Sequence, residues 1–262
     1  MTAPRGRSLR RFLVLVLVSA VALQLYFVGR IALMALVDPQ STTFQRSEAW
    51  RLARASGAHR WRQQWIDYAG LSSNLKRAVV AAEDAGFTEH SGVEWDALEK
   101  AWAKNERAEN VAEQAALRTQ RHDAANGGRA AAVARPPVAA KVVGGSTITQ
   151  QLAKNLFLSG ERSFLRKGQE LVLSYALEAI LGKRRILELY LNAVEWGEGV
   201  FGAEAAAQRY FGVSARQLSP QQAGQLAVML PAPKRFEKRP GSAYVVGRAA
   251  TIVARMGQVE LP

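Results

Sequence analysis

The chain has 262 residues, 35 Lys and Arg against 22 Asp and Glu, and no cysteine. Disulfide frameworks, zinc–thiolate sites and cysteine nucleophiles are therefore excluded, and His59, His90 and His122, scattered and without an HExxH pair, argue against a histidine metal site. The net charge of +13 implies an anionic partner: nucleic acid, lipid headgroups or a phosphorylated substrate.

Arg5, Arg7, Arg10 and Arg11 make residues 1–11 a basic tail. Residues 12–28 are apolar apart from Ser19 and Gln24, and a second apolar stretch covers 31–37. About 20 apolar residues span a bilayer as a helix, so 12–37 is read as one transmembrane anchor. The basic flank predicts a cytoplasmic N-terminus with the rest of the chain across the membrane. Ala20-Val21-Ala22 resembles a signal-peptide cleavage site, but apolar residues continue past it. Either reading makes the body extracytoplasmic, which removes nucleic acid as the anion and leaves membrane lipids or a phosphorylated substrate.

Residues 38–71 read as a juxtamembrane connector. Trp50, Trp61 and Trp65 interleave with arginines there, which suits a membrane interface or a helix packing its tryptophans on the body. The main domain is expected over 72–262. Leu75, Ala78, Val79 and Ala82 recur at helical spacing. Glu83 and Asp84 close that helix, with Gly86 as terminator. Carboxylates at the negative end of a helix dipole have raised pKa values, which suits a general base; solvated end-of-helix charge is the alternative. Ser91 and Glu94 form a capping box for a helix presenting Trp95, Leu98 and Trp102 on one face. Residues 103–141, rich in alanine and mixed charge around Gly127-Gly128, are expected to be a mobile insertion.

The central stretch runs from Gly144 to Asn155 and reads GGSTITQQLAKN. Thr147 and Gln150 form a capping box, so a helix starts near Ile148. Its free N–H groups and positive dipole end favour an anion. The two readings are a phosphate site and an ordinary capped helix. A long helix follows from about Ser163 to Leu181, carrying Arg166, Lys167 and Glu170 within one turn and Glu178 in an apolar setting. A further helix ends near Asn192, and glycine-punctuated turns occupy 195–202. Ser219-Pro220-Gln221-Gln222 starts another helix, and a last one covers about 242–256. No strand pair is expected, so the fold class is mainly α.

A substrate made of a sugar on a pyrophosphate would need no protein acid, because the pyrophosphate leaves readily. It would need positive charge where negative charge develops, available from Lys154, Arg166 and Lys167. The attacking hydroxyl needs a base, and Glu83 is the candidate. Direct attack gives inversion. Glu170 would hold the cations in place, orient the donor, or share Mg²⁺ with the pyrophosphate.

Glu83 to Gly92 resembles the EDxxFxxHxG motif of the peptidoglycan glycosyltransferases. The GGSTITQQLAKN stretch is similar to the second motif of that family, Arg166 to Glu170 to its RKxxE motif, and Lys183 to Asn192 with the following glycine loop to its fourth. Four motifs in order over about 72–235 make the resemblance specific, and the short chain resembles the monofunctional, membrane-anchored members. The resemblance implies a lysozyme-like helical domain behind one N-terminal transmembrane helix, polymerising lipid II into glycan strands on the periplasmic side of a bacterial inner membrane. It implies Glu83 as the base for the acceptor hydroxyl and Glu170 as a second essential glutamate. It further implies Ser146, Thr147, Gln150, Gln151, Lys154, Asn155, Arg166 and Lys167 as substrate-binding residues. Mg²⁺ or another divalent cation is the expected cofactor, with Glu170 as a candidate ligand, and no organic cofactor is expected. Lipid II, the growing glycan strand, membrane lipids and cell-division or elongation proteins are the expected partners.

The rivals are a peptidoglycan-cleaving enzyme of lysozyme type and a non-catalytic scaffold for wall assembly. Ser73 to Lys76 spells SxxK, but no KTG box accompanies it, and chance explains it better.

Overall fold

The computed structural model describes residues 5–55, 61–101, 103–104, 106–108, 110–111, 114, 145–158 and 163–262. Most of the expected insertion at 103–141 lies outside them, as does Trp102. The chain divides into two units, residues 1–93 with 147–262, and residues 94–146.

In the smaller unit, residues 95–101 are helical. The helix starts at Trp95 and not at Gly92, because Gly92 takes a left-handed φ of 91° that ends any helix running through it. The Ser91 capping box is therefore not formed, and Trp95 is 55% exposed instead of facing a core.

The larger unit opens with α1 (Arg5–Leu33). Its segment from Ser8 to Leu33 is long and apolar enough to cross a membrane. Gln24, Phe27 and Ile31, spaced at helical intervals, lie on the less exposed stripe of this helix, which Met34 continues just past its end; Ile31 and Met34 are buried. Phe27 meets Phe157 edge-on at 5.3 Å.

The segment read as a connector is part of the packed body. Helix α2 (Thr43–Arg54) is started by a Thr42–Gln45 capping box. Thr43 Oγ1 donates to the Leu156 carbonyl at 2.8 Å, and Gln45 Nε2 to that of Ala193 at 3.4 Å. The three tryptophans divide. Trp65 packs on the core, Trp61 lies 4.6 Å from the Phe201 ring, and Trp50 is exposed beneath Arg54.

The core is built by α3 (Ser73–Glu83), α4 (Ile148–Phe157), α5 (Phe164–Ala193), α6 (Ala203–Phe211), α7 (Pro220–Met229), the single-turn α8 (Pro233–Phe236) and α9 (Ala243–Arg255). Ser72, Thr147, Ser163, Ser219 and Ser242 are the N-caps of α3, α4, α5, α7 and α9. Helix α5 is two helices joined at Gly182, whose φ of 70° lets the chain turn without ending the run. Leu75, Val79, Ile148, Leu152, Leu177 and Ile186 have no exposed surface. Each contributes about 1.5–3 kcal/mol by burial.

A small sheet sits among the helices where no strand pair was expected. β1 (Arg62–Gln63) pairs in parallel with β3 (Val200–Phe201), which pairs antiparallel with β2 (Glu195–Gly197). Gly199 at φ 71° allows the tight return between β2 and β3. Strands this short carry no alternating pattern, and the third arrives from more than a hundred residues away.

The sheet joins α2 and α8 through a charged cluster. Lys234 Nζ lies 2.5 Å from Glu48 Oε2 and 3.5 Å from Glu195 Oε1. Arg51 bridges Glu48 and Glu198 at 2.9 and 2.8 Å. Glu195 is only 6% exposed, and burial is the main cause that pushes its pKa up to about 7, against the pull of Lys234. The unfolded chain ionises this group near 4.5. Its contribution to stability is therefore complete below about pH 4.5 and is lost as pH rises through 7. Glu195→Gln is expected to gain up to about 3 kcal/mol relative to the native chain between pH 5 and 8. Unfolding titrations of both proteins in detergent check this, and a pH-independent difference refutes it.

Candidate active site

Helix α3 ends at Glu83 because Asp84 leaves helical geometry, with φ −163° and ψ 73°. Gly86 plays no part in that stop. Asp84 is a buried organiser. Its Oδ2 accepts from the Ile148 N–H at 2.9 Å, and its Oδ1 lies 2.9 Å from His90 Nε2. Gly92 N–H donates to His90 Nδ1 at 3.1 Å, so the histidine's hydrogen sits on Nε2 and is given to Asp84. The Gly92 carbonyl in turn accepts from the Thr147 hydroxyl at 2.6 Å. The loop after α3 is thereby tied to the start of α4. An asparagine at 84 would meet two hydrogen donors with one acceptor. Asp84→Asn is expected to destabilise the protein by about 1–3 kcal/mol, measured by denaturant unfolding.

This network changes the reading of the α4 N-terminus. The expected anion there is the protein's own Asp84, on the Ile148 N–H. Thr147 Oγ1 accepts from the Gln150 N–H and Gln150 Oε1 from the Thr147 N–H, both at 3.1 Å. Both residues are buried, and their described polar contacts are spent on the cap and on Gly92. A phosphate therefore finds the Ile148 amide already taken. Ser146 belongs to the smaller unit and is partly buried, and Asn155 is 9% exposed on the inner side of α4.

Gln151 turns towards the end of α3. Its Nε2 donates to Glu83 Oε2 at 2.9 Å, while its Oε1 accepts from the Tyr190 hydroxyl at 2.9 Å. Tyr190 is fully buried, so it holds Gln151 in one orientation. The Glu83 carboxyl pKa is raised. Burial is the largest cause, opposed by the Gln151 hydrogen bond, reinforced by the Asp84 charge and opposed again by Lys154. Desolvation thus supplies the poised base expected from the helix dipole. Tyr190 went unassigned in the sequence because its partner is 39 residues away and only packing of α4 against α5 joins them.

Lys154 lies one helical turn beyond Gln151 and links two groups of charge. It interacts electrostatically with Glu83 and with Glu170, Arg166 and Lys167. Its side chain keeps contact with solvent, yet protein atoms crowd it, and this desolvation leads the causes that lower its ammonium pKa. The solvent contact screens the effect. Glu170 is 3% exposed on α5. Its Oε2 accepts from Arg166 Nη1 at 3.1 Å, and its Oε1 pairs with Lys167.

Both Glu170 oxygens are thus engaged by cations. A divalent ion at this carboxylate would face Arg166 and Lys167 at close range, so the residues present do not fit Mg²⁺ there. Glu178 has an internal role, accepting from Thr149 Oγ1 at 2.6 Å and Lys183 Nζ at 2.8 Å. Lys76 of the SxxK stretch is buried, donates to the Tyr68 carbonyl at 3.1 Å and lies over the Tyr68 ring. That occupation leaves no nucleophile–lysine pair.

The arrangement therefore sets a half-buried carboxylate of raised pKa near three cations, Lys154, Arg166 and Lys167. Such a set can take a proton from a hydroxyl while stabilising charge on a phosphorylated leaving group.

The family model described as "Transglycosylase" matches residues 51–120 and 123–257. A biosynthetic peptidoglycan transglycosylase of Burkholderia thailandensis is 48% identical, over 92% of this chain and 82% of its own length. Its counterpart in Herminiimonas arsenicoxydans is 47% identical over 98% of both chains. That of Bordetella pertussis is 46% identical over the whole of both. The mainly helical, lysozyme-like fold expected from the resemblance is the one this family carries. Matched by that model along most of its length, and close to half identical to the last two of these relatives from end to end, the chain belongs to the transglycosylase family.

Proposed function

We propose that the chain is a membrane-anchored peptidoglycan glycosyltransferase that polymerises lipid II into glycan strands. The observation that carries this reading is the half-buried Glu83 held by Gln151 of α4, with Lys154 one turn further along that helix and the Arg166–Lys167–Glu170 cluster within reach of its charge. Glu83 removes the proton from the 4-hydroxyl of the acceptor GlcNAc. That oxygen attacks the anomeric carbon of the donor MurNAc and inverts it. The bond to the pyrophosphate oxygen breaks, and undecaprenyl pyrophosphate departs with its charge met by Lys154, Arg166 and Lys167. Gln151, held by Tyr190, orients the base. Glu170 holds Arg166 and Lys167 in place, and no step is routed through a metal ion.

Helix α1 is the anchor in this reading. The arginines in its first two turns, at the cytoplasmic end of the apolar run, put the N-terminus in the cytoplasm and the body in the periplasm of the inner membrane. Division or elongation proteins remain candidate partners on the strength of the resemblance alone.

A cleaving enzyme needs an acid to protonate a poor leaving group and has little use for three cations beside it. Purified protein given lipid II in detergent, with Mg²⁺ and with a chelator, tests the proposal. Glycan chains from lipid II and no products from finished sacculi are expected. Release of sugars from sacculi without polymerisation overturns it.

A further inference from the structure

Gln24 is a polar side chain inside the apolar span of α1, about 14 Å along the helix from its end at Leu33. Where α1 packs against protein in so apolar a helix, an amide left unpaired is costly. Gln24 opens the stripe of α1 that faces the body, and opposite it stands Gln169 of α5. The two amides form a closed reciprocal pair. Gln24 Nε2 donates to Gln169 Oε1 at 2.8 Å, and Gln169 Nε2 donates to Gln24 Oε1 at 3.0 Å.

Gln169 neighbours Glu170 and lies one turn from Arg166. The first turn of α5 has little else to hold it, since Phe164 and Leu165 are 98% and 87% exposed. Among the described residues, the hydrogen bonds joining α1 to the part of α5 before Gly182 are the two of this pair. The next bond between the N-terminal segment and α5, from Arg185 Nε to the Met34 carbonyl at 2.9 Å, comes after the turn at Gly182.

We propose that the Gln24–Gln169 amide pair is a positioning lock, which holds the first turns of α5 against the anchor and so sets where Arg166, Lys167 and Glu170 meet the substrate pyrophosphate. The proposal rests on the function proposed above and on α1 spanning the membrane. Neither glutamine is a catalytic residue; both act through Glu170 and its cations.

The protein has no cysteine, so a Gln24→Cys/Gln169→Cys variant has a clean background for a short thiol-specific bifunctional reagent. Intramolecular bridging in native membranes is expected, and its absence overturns the pairing. Gln24→Leu and Gln169→Leu are then compared with wild type on lipid II. A displaced cation cluster should lower kcat about tenfold while KM stays within about twofold. Gln24→Glu is the conservative control. A protonated carboxyl, favoured by the apolar surroundings of this stripe, can close the same two bonds with Gln169, so this variant should recover most of the turnover lost by Gln24→Leu.

Leucine variants with wild-type kcat, or a Glu variant no better than Leu, would overturn the lock. Absence of polymerisation by the wild-type protein would instead remove the proposed function, while the bridging result still judges the contact by itself.

Discussion

Glu83→Gln is expected to reduce lipid II polymerisation about a thousandfold, the usual scale for losing a positioned general base. The fold should survive. Glutamine has the same shape, and its carbonyl can still accept from Gln151 Nε2, which now bonds Glu83 at 2.9 Å. The test is turnover of purified protein in detergent beside a thermal melt of the same sample. Near-native turnover, or a melt that collapses, would remove Glu83 from this role. The native pH profile carries the same information. Glu83 must be ionised to act, and its pKa is raised above 4.5, chiefly by burial. Activity should therefore fall on acidification at a higher pH than an ordinary glutamate would give. Lys154, with its pKa lowered from 10.5 by desolvation first, should place the alkaline limb below that of an ordinary lysine.

Glu170→Gln is expected to lower kcat about a hundredfold, the scale of losing preorganised charge stabilisation. The buried carboxylate takes Arg166 on one oxygen and Lys167 on the other. An amide would turn an NH₂ group towards one of these cations, and the pair would lose its shared anchor. Glu170 is also the charge that does most to raise the Lys154 pKa. Removing it should move the alkaline limb to still lower pH. A metal-ligand role would predict a different outcome, a loss rescued by raised Mg²⁺. Rates measured across pH and Mg²⁺ concentration separate the two, and a Mg²⁺-rescued variant would refute the ion-pair reading.

Helix starts were the most legible feature of the chain. Ser or Thr with a well-spaced glutamine is a local signal, and Thr147 with Gln150 and Ser219 with Gln222 behave as read. The Thr42–Gln45 box is the same signal, inside residues 38–71, where the tryptophans interleaved with arginines drew the reading towards a membrane interface. The Ser91–Glu94 box failed because Gly92 is needed at positive φ for the turn that brings His90 to Asp84. The α4 N-terminus was legible as an anion site, but the anion comes from 64 residues earlier in the chain.

Local spacing was enough to determine the helical class, the apolar span of α1, and the presence of two glutamates and three cations in three short stretches. These depend on neighbours within a few residues, where backbone geometry alone decides which side chains can meet. The tertiary structure decided which carboxylate is spent on a helix cap and which stays half-buried with a raised pKa. It decided that Tyr190 steadies Gln151, that Glu170 already holds two cations, and that Gln24 has a partner on α5. Desolvation and long-range hydrogen bonds exist only once distant segments pack, so no window of sequence can display them.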